Sequence, residues 1–287
     1  MRLLALLFVS LPVLFGPKLL AGDSISHAEE LYQQTDYQAS AAAVRRMADP
    51  GAAGDCLAGR DYFLLGDYKK ASEFFQRAVA LEPANAGYVL WLAKSFERRA
   101  ETASPFTAPH EASKARGYFE EAVALAPNNQ EALRALFDYY LEAPGFWGGG
   151  YDKAEAIARR IAERDSGEGR LVEAELADRR KQFDTAEDQL RHAIQIAPHE
   201  VDRVLDLARY LAEHGRIQES ESAFDKAQRL APNLPRVWLA RARVYVEQKR
   251  DLNRARALLT QYLQSSGADG GPARKQAQEL LKEASGA

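Results

Sequence analysis

Four apolar helix ends run into proline along this chain of 287 residues: VALEP at Pro83, VALAP at Pro127, IQIAP at Pro198 and QRLAP at Pro232. Proline lacks an amide hydrogen and cannot continue a helical path, so each run marks where a helix stops. Pro198 and Pro232 are 34 residues apart. Pro127 and Pro198 are 71 apart, two such periods with three residues over; Pro83 and Pro127 are 44 apart, one period with ten over. One period is plainest in 61–83, DYFLLGDYKKASEFFQRAVALEP. Tyr62, Leu65, Ala71, Phe75, Ala78 and Val79 lie three or four apart on either side of Gly66-Asp67, which predicts two amphipathic helices joined by a tight turn. A pair this short cannot bury its apolar stripe alone and requires a neighbour of the same kind.

Small and aromatic residues recur at matching places in six segments. The first, 52–85, carries Gly59, Tyr62, Ala71, Phe75, Ala78 and Pro83. From Ala86 come Leu92, Ala93 and Phe96, then Ala115, Phe119, Ala122 and Pro127, with TASPFTAPHE as surplus between the two helices. From Gln130 come Leu133, Leu136 and Tyr140, then Ala154, Ala158 and Ile161, with EAPGFWGGG as surplus. The segment from Gly167 is weakest in its first helix, with Ala174 and Ala177, and regains the pattern at Ala186, Leu190, Ala193 and Pro198. Leu207, Ala208, Leu211, Phe224, Ala227 and Pro232 mark the fifth; Trp238, Ala242, Tyr245, Ala255, Leu259 and Tyr262 mark the sixth.

In period and internal spacing the chain resembles the tetratricopeptide repeat family, and in its Pro-Gly and Gly-Gly insertion it looks similar to exported bacterial members. The resemblance implies an all-α fold, a right-handed superhelical solenoid of antiparallel helix pairs with a terminal capping helix. The expected organisation is a helical pair in 22–51, six repeats in 52–267 with insertions near 101–110 and 142–150, and a capping helix in 268–287.

The N-terminus reads differently. Met1-Arg2 precedes the apolar run LLALLFVSLPVLF, then GPKLLAGD, a pattern expected of a signal peptide cut after Ala21. The run is short and proline-interrupted for a membrane span, though an uncleaved anchor is the alternative. Asp23 follows LAG where lipid anchoring would need cysteine. Cleavage removes Arg2 and Lys18 and takes the net charge from −3 to −5, with no field to attract nucleic acid or anionic lipid. A single cysteine, Cys56, excludes an intrachain disulfide and a cysteine-based zinc site. The location expected is periplasmic or secreted.

No chemistry stands out. Gly148-Gly149-Gly150 lacks the Lys-Ser/Thr ending and the preceding strand of a phosphate loop. His199-Glu200 opens like a metalloprotease helix, but Arg203 stands where the second histidine belongs. No catalytic residue, metal site or cofactor is expected; an enzyme on a helical array is the minor alternative.

The expected function is a non-catalytic scaffold that binds a protein or peptide along a concave groove lined by first helices. Helical spacing points Cys56, Arg60 and Phe63, then Leu90, Trp91, Lys94 and Arg98, into that groove. Arg134, Asp138, Leu141, Leu171, Glu175 and Asp178 follow, then Leu205, Asp206, Arg209, Arg236, Leu239 and Arg243. Arg60, Trp91, Lys94, Arg134, Arg209, Arg236 and Arg243 are the candidate binding residues: the tryptophan for burial, the cations for a partner's carboxylates. The family's carboxylate clamp for chaperone C-termini is not matched, because its places hold Cys56, Arg60, Trp91, Glu131 and Ala135. The competing reading is a self-assembling module that docks another copy through Phe146 and Trp147, as exposed anchors, or through the terminal helix.

Overall fold

The computed structural model describes residues 24–265 and 272–286, and within them the chain is helical with no strand. The segment 1–21 read as an export signal lies outside the described residues. Helices α1 (Ile25–Gln33) and α2 (Tyr37–Arg46) form the first pair, followed by α3 (Gly51–Leu64) with α4 (Tyr68–Leu81) and α5 (Ala86–Thr102) with α6 (Ala108–Leu125). Then come α7 (Gln130–Glu142) with α8 (Tyr151–Ala162), α9 (Ser166–Arg179) with α10 (Phe183–Ile196), and α11 (Val201–Glu213) with α12 (Ile217–Leu230). The last pair is α13 (Pro235–Glu247) with α14 (Leu252–Gln264), and α15 (Pro272–Ala284) packs on both. Each helix touches its partner in the pair and the next helix along, which makes a helical repeat solenoid.

One turn chemistry joins most pairs. After the first helix a single residue takes the left-handed conformation: Thr35, Gly66, Lys181, Gly215 or Lys249. The amide of the next residue then reaches back across the last turn, as Asp67 N does to Tyr62 O at 2.9 Å and Arg216 N to Leu211 O at 2.8 Å. These bonds satisfy carbonyls that a helix end leaves orphaned. Glycine takes that conformation without strain, whereas lysine or threonine costs about 1 kcal/mol there. Asp36 and Asp67 then cap the following helix by accepting from Ala39 N and Lys70 N.

The two pairs with surplus residues break this rule. α5 and α7 end instead on extended residues, Ala103 and Ala143. Half of the first surplus does not form a loop: 101–102 complete α5, 108–110 begin α6, and 103–107 connect them. The second surplus folds a 3₁₀ turn over Gly145–Trp147. It is tied down by Gly150 N to Tyr140 O at 2.8 Å, Tyr139 Oη to Trp147 O at 2.9 Å and Lys153 Nζ to Gly148 O at 2.7 Å.

The small positions of the second helices are fully buried: Ala71, Ala78, Ala115, Ala122, Ala154, Ala186, Ala193, Ala227 and Ala255. Rings fill the spaces between pairs. Phe75 of α4 stacks on Trp91 of α5 at 5.8 Å, and Phe119 of α6 meets Tyr139 of α7 at 5.6 Å. At the far end Ala277, Leu280 and Ala284 of α15 cover the last pair.

Gly59 of α3 sits close against α4. A Cβ placed on it would lie 2.6–2.9 Å from the ring of Phe75, which is itself fully buried. Gly59→Ala is therefore expected to cost about 1–3 kcal/mol. Gly117, in the exposed middle of α6, has nothing near it. Gly117→Ala is expected to gain about 0.5–1 kcal/mol from helix propensity alone. Urea unfolding midpoints of the two variants should move in opposite directions.

Candidate functional site

The first helices α5, α7, α9 and α11 line one recess of ≈ 880 Å³, to which Leu190 of α10 also contributes. Two of the expected binding residues meet there, Arg134 and Arg209, along with Asp138, Leu141, Leu171, Glu175, Asp178 and Asp206. The other five candidates lie elsewhere.

Their surroundings explain why. Trp91 is half-buried between Phe63 and Phe75, so it braces the first two repeats and is no free anchor. Arg60 donates to Tyr32 Oη at 2.8 Å and lies over the rings of Tyr32 and Trp91. Lys94 pairs with Glu131 at 2.7 Å. Arg236 pairs with Asp202 at 2.9 Å across an exposed surface. Arg243 donates to Gln276 of the capping helix at 2.7 Å, so that helix occupies the stretch of groove it was expected to line. Cys56, Leu90, Leu205 and Leu239 sit slightly further round their helices than expected and are buried in the core. In the 145–147 turn, Phe146 is 83% exposed, but Trp147 tucks in, and its indole nitrogen is shut off from solvent.

The recess is dominated by carboxylates. Eight line it, against four arginines. Each arginine is engaged by an acid of this chain. Arg134 spans two repeats, reaching Asp138 at 2.9 Å on its own helix and Glu168 at 3.1 Å and Glu175 at 2.6 Å on α9. Arg98 binds Glu101, Arg209 binds Asp206, and Arg179 binds Glu142 at 3.1 Å. Asp178 meets His214 at 3.2 Å. Glu97 and Glu213 make no hydrogen bond or ion pair among the described residues.

Burial and crowding show in proton affinity. Glu97 is pushed up from 4.5 to about 7, first by burial and then by Glu101, Asp138 and Glu142. Asp138 rises to about 6 by burial, with Arg134 opposing. Burial also raises Glu175, Asp206 and Glu213, although arginines pull each of them back down. Helical spacing could have found the acids missed from the sequence. Glu97 and Glu101 follow Lys94 and Arg98 by three residues, Glu142 follows Asp138 by four, and Glu213 follows Arg209 by four. The inward stripe simply runs one turn further than expected.

No group of three or more histidine, cysteine or acidic side chains arranged to hold a metal occurs among the described residues. No helix among them is long and apolar enough to cross a membrane.

Glu97 binds its proton more tightly in the fold than in the unfolded chain. Its charge therefore costs stability above about pH 7, and the cost fades as pH falls toward 4.5. Glu97→Gln should stabilise the chain by about 1–2 kcal/mol at pH 8, discounted for solvent screening, and by nearly nothing at pH 4.5. Paired denaturant melts at the two pH values check this.

Two segments, 56–85 and 179–244, match family models described as tetratricopeptide repeat. No curated protein sequence matches. Among solved structures, a tetratricopeptide repeat protein from Parabacteroides merdae is similar over 91% of this chain and 97% of its own, at 17% identity and a TM-score of 0.60. A thermophilic protein of this kind from Thermus thermophilus covers 65% of this chain with 96% of its own, at 22% identity and a TM-score of 0.51. The C-terminal part of a repeat-containing protein from Cytophaga hutchinsonii covers 90% of this chain with all of its own length, at 13% identity and a TM-score of 0.51. At these identities the likeness is one of fold.

Proposed function

The chain is a tetratricopeptide repeat protein, and from that premise we propose that it holds a segment of another protein in the recess of α5, α7, α9 and α11. Tetratricopeptide repeats are generally protein–protein interaction scaffolds. The observation that carries the reading is the recess itself, where Leu171 and Tyr210 offer apolar surface among charged groups. Such mixed lining suits a polypeptide, with apolar side chains for burial and charge for register.

The test is site-specific crosslinking in the native host. A photoreactive side chain at Leu171, inside the recess, should capture a protein partner; one at Gln76, exposed on α4, should not. Capture from Gln76 alone would place the partner on another face.

We also propose that the chain is exported to the cell envelope, on the strength of the charged start, apolar run and Ala21 in 1–21. Mass spectrometry of the chain recovered from its host should find Gly22 first; an intact Met1 would contradict cleavage. A second reading, docking of another copy through the 145–147 turn, is supported by Phe146, which stands clear of the fold. Light scattering across a concentration series decides it: Phe146→Ser should abolish any association, and a monomer throughout removes the reading.

A further inference from the structure

Resting on that reading, we propose that the segment held in the recess is cationic, carrying lysine or arginine side chains, and that acidic segments are rejected. The sequence suggested the reverse, arginines poised for a partner's carboxylates. The ion pairs weigh against that role for the central arginines. Arg98, Arg134, Arg179 and Arg209 are each bound to acids of the chain itself, and Arg134 alone is shared by three carboxylates. A fresh carboxylate would have to displace one of these and enter a site already rich in negative charge.

What the recess lacks is positive charge. Eight carboxylates face four arginines, and Glu97 is left half-buried with no hydrogen bond or ion pair among the described residues. Around Glu97 stand Glu101 and Arg98 on its own helix, with Asp138 and Glu142 on α7. Glu213, exposed at the end of α11, also has no partner among them and faces Arg209, Asp178, Glu247 and His214. An ammonium or guanidinium beside either carboxylate would replace water and neighbouring repulsion with a charge-assisted hydrogen bond.

The described acids include no grouping suited to a metal ion, which favours an organic cation. The two unpaired carboxylates stand on the outermost of the four helices that frame the recess. With α7 and α9 between them, a polypeptide can reach both, with apolar side chains left to meet Leu171 and Tyr210. A free small amine would reach only one end.

Three fluorescent nine-residue peptides test this by anisotropy at low salt and pH 8: Lys-Ala-Leu repeated three times, and the same with Glu or Gln in place of Lys. The lysine peptide should bind at least tenfold more tightly than the glutamate peptide. Its affinity should fall at least fivefold in the Glu97→Gln/Glu213→Gln double variant and stay unchanged in Glu73→Gln, whose carboxylate is exposed on α4. It should also weaken between pH 8 and pH 5.5, as Glu97 and Asp138 take up protons. Equal binding of all three peptides, no binding of any, or lysine preference untouched by the double variant would each overturn the inference. The groove reading fails separately. A partner crosslinked from Leu171 through a neutral or acidic segment refutes the cation and keeps the groove, whereas capture only from outside the recess refutes the groove.

Discussion

Close approach between helices at alanine and glycine positions is the constraint on which the rest of the molecule depends. Alanine at two places in a second helix lets its neighbours come near, and the rings of Phe75, Phe119, Phe224 and Tyr245 fill the remaining space. Contacts such as Phe75 on Trp91 couple one pair to the next, so each repeat orients its successor. Once second helices are committed to this packing, first helices are left sharing a concave face. Unburied side chains of α5, α7, α9 and α11 then line a common recess.

That geometry concentrates charge that sequence disperses. Glu168 and Glu175 follow Arg134 by 34 and 41 residues along the chain, about one repeat, yet both meet it at hydrogen-bond distance. Stacking brings acids from four helices into one recess, where burial and neighbouring carboxylates hold protons on Glu97 and Asp138 well above the ordinary carboxylate range. A similar stacking of charge at the C-terminal end is fully compensated. There Glu221 is bound by Arg241 and Arg250 and accepts from Tyr245, and its carboxyl stays below the usual range because those hydrogen bonds outweigh burial. The contrast separates a structural brace from a face left with charge to satisfy.

Much of the fold was legible because helix ends and small-residue positions are local signals. Proline after an apolar run, and Asp67 after Gly66, locate turns without any knowledge of what packs against them. The weak first helix of the fourth repeat also has a local cause. Gly167 and Gly169 stand where larger residues would strike Arg203 and Ala162, so close approach replaces the usual pattern. The site was less legible. Helical phase placed Leu90, Leu205 and Leu239 in the groove when a small rotation buries them. Spacing within one repeat does not reveal that Trp91 is claimed by Phe75, or that Arg243 is claimed by the capping helix. Nor does it show which cations are already neutralised, since the decisive pairs cross between repeats.

The account turns on unsatisfied negative charge held close in the concave face, and carboxyl-detected NMR titration measures that directly. Glu97 should titrate with a midpoint near 7 and Asp138 near 6, both well above the ordinary carboxylate range. Midpoints for both within the ordinary carboxylate range would mean the recess is open and well solvated, and a charge-selective groove would be contradicted.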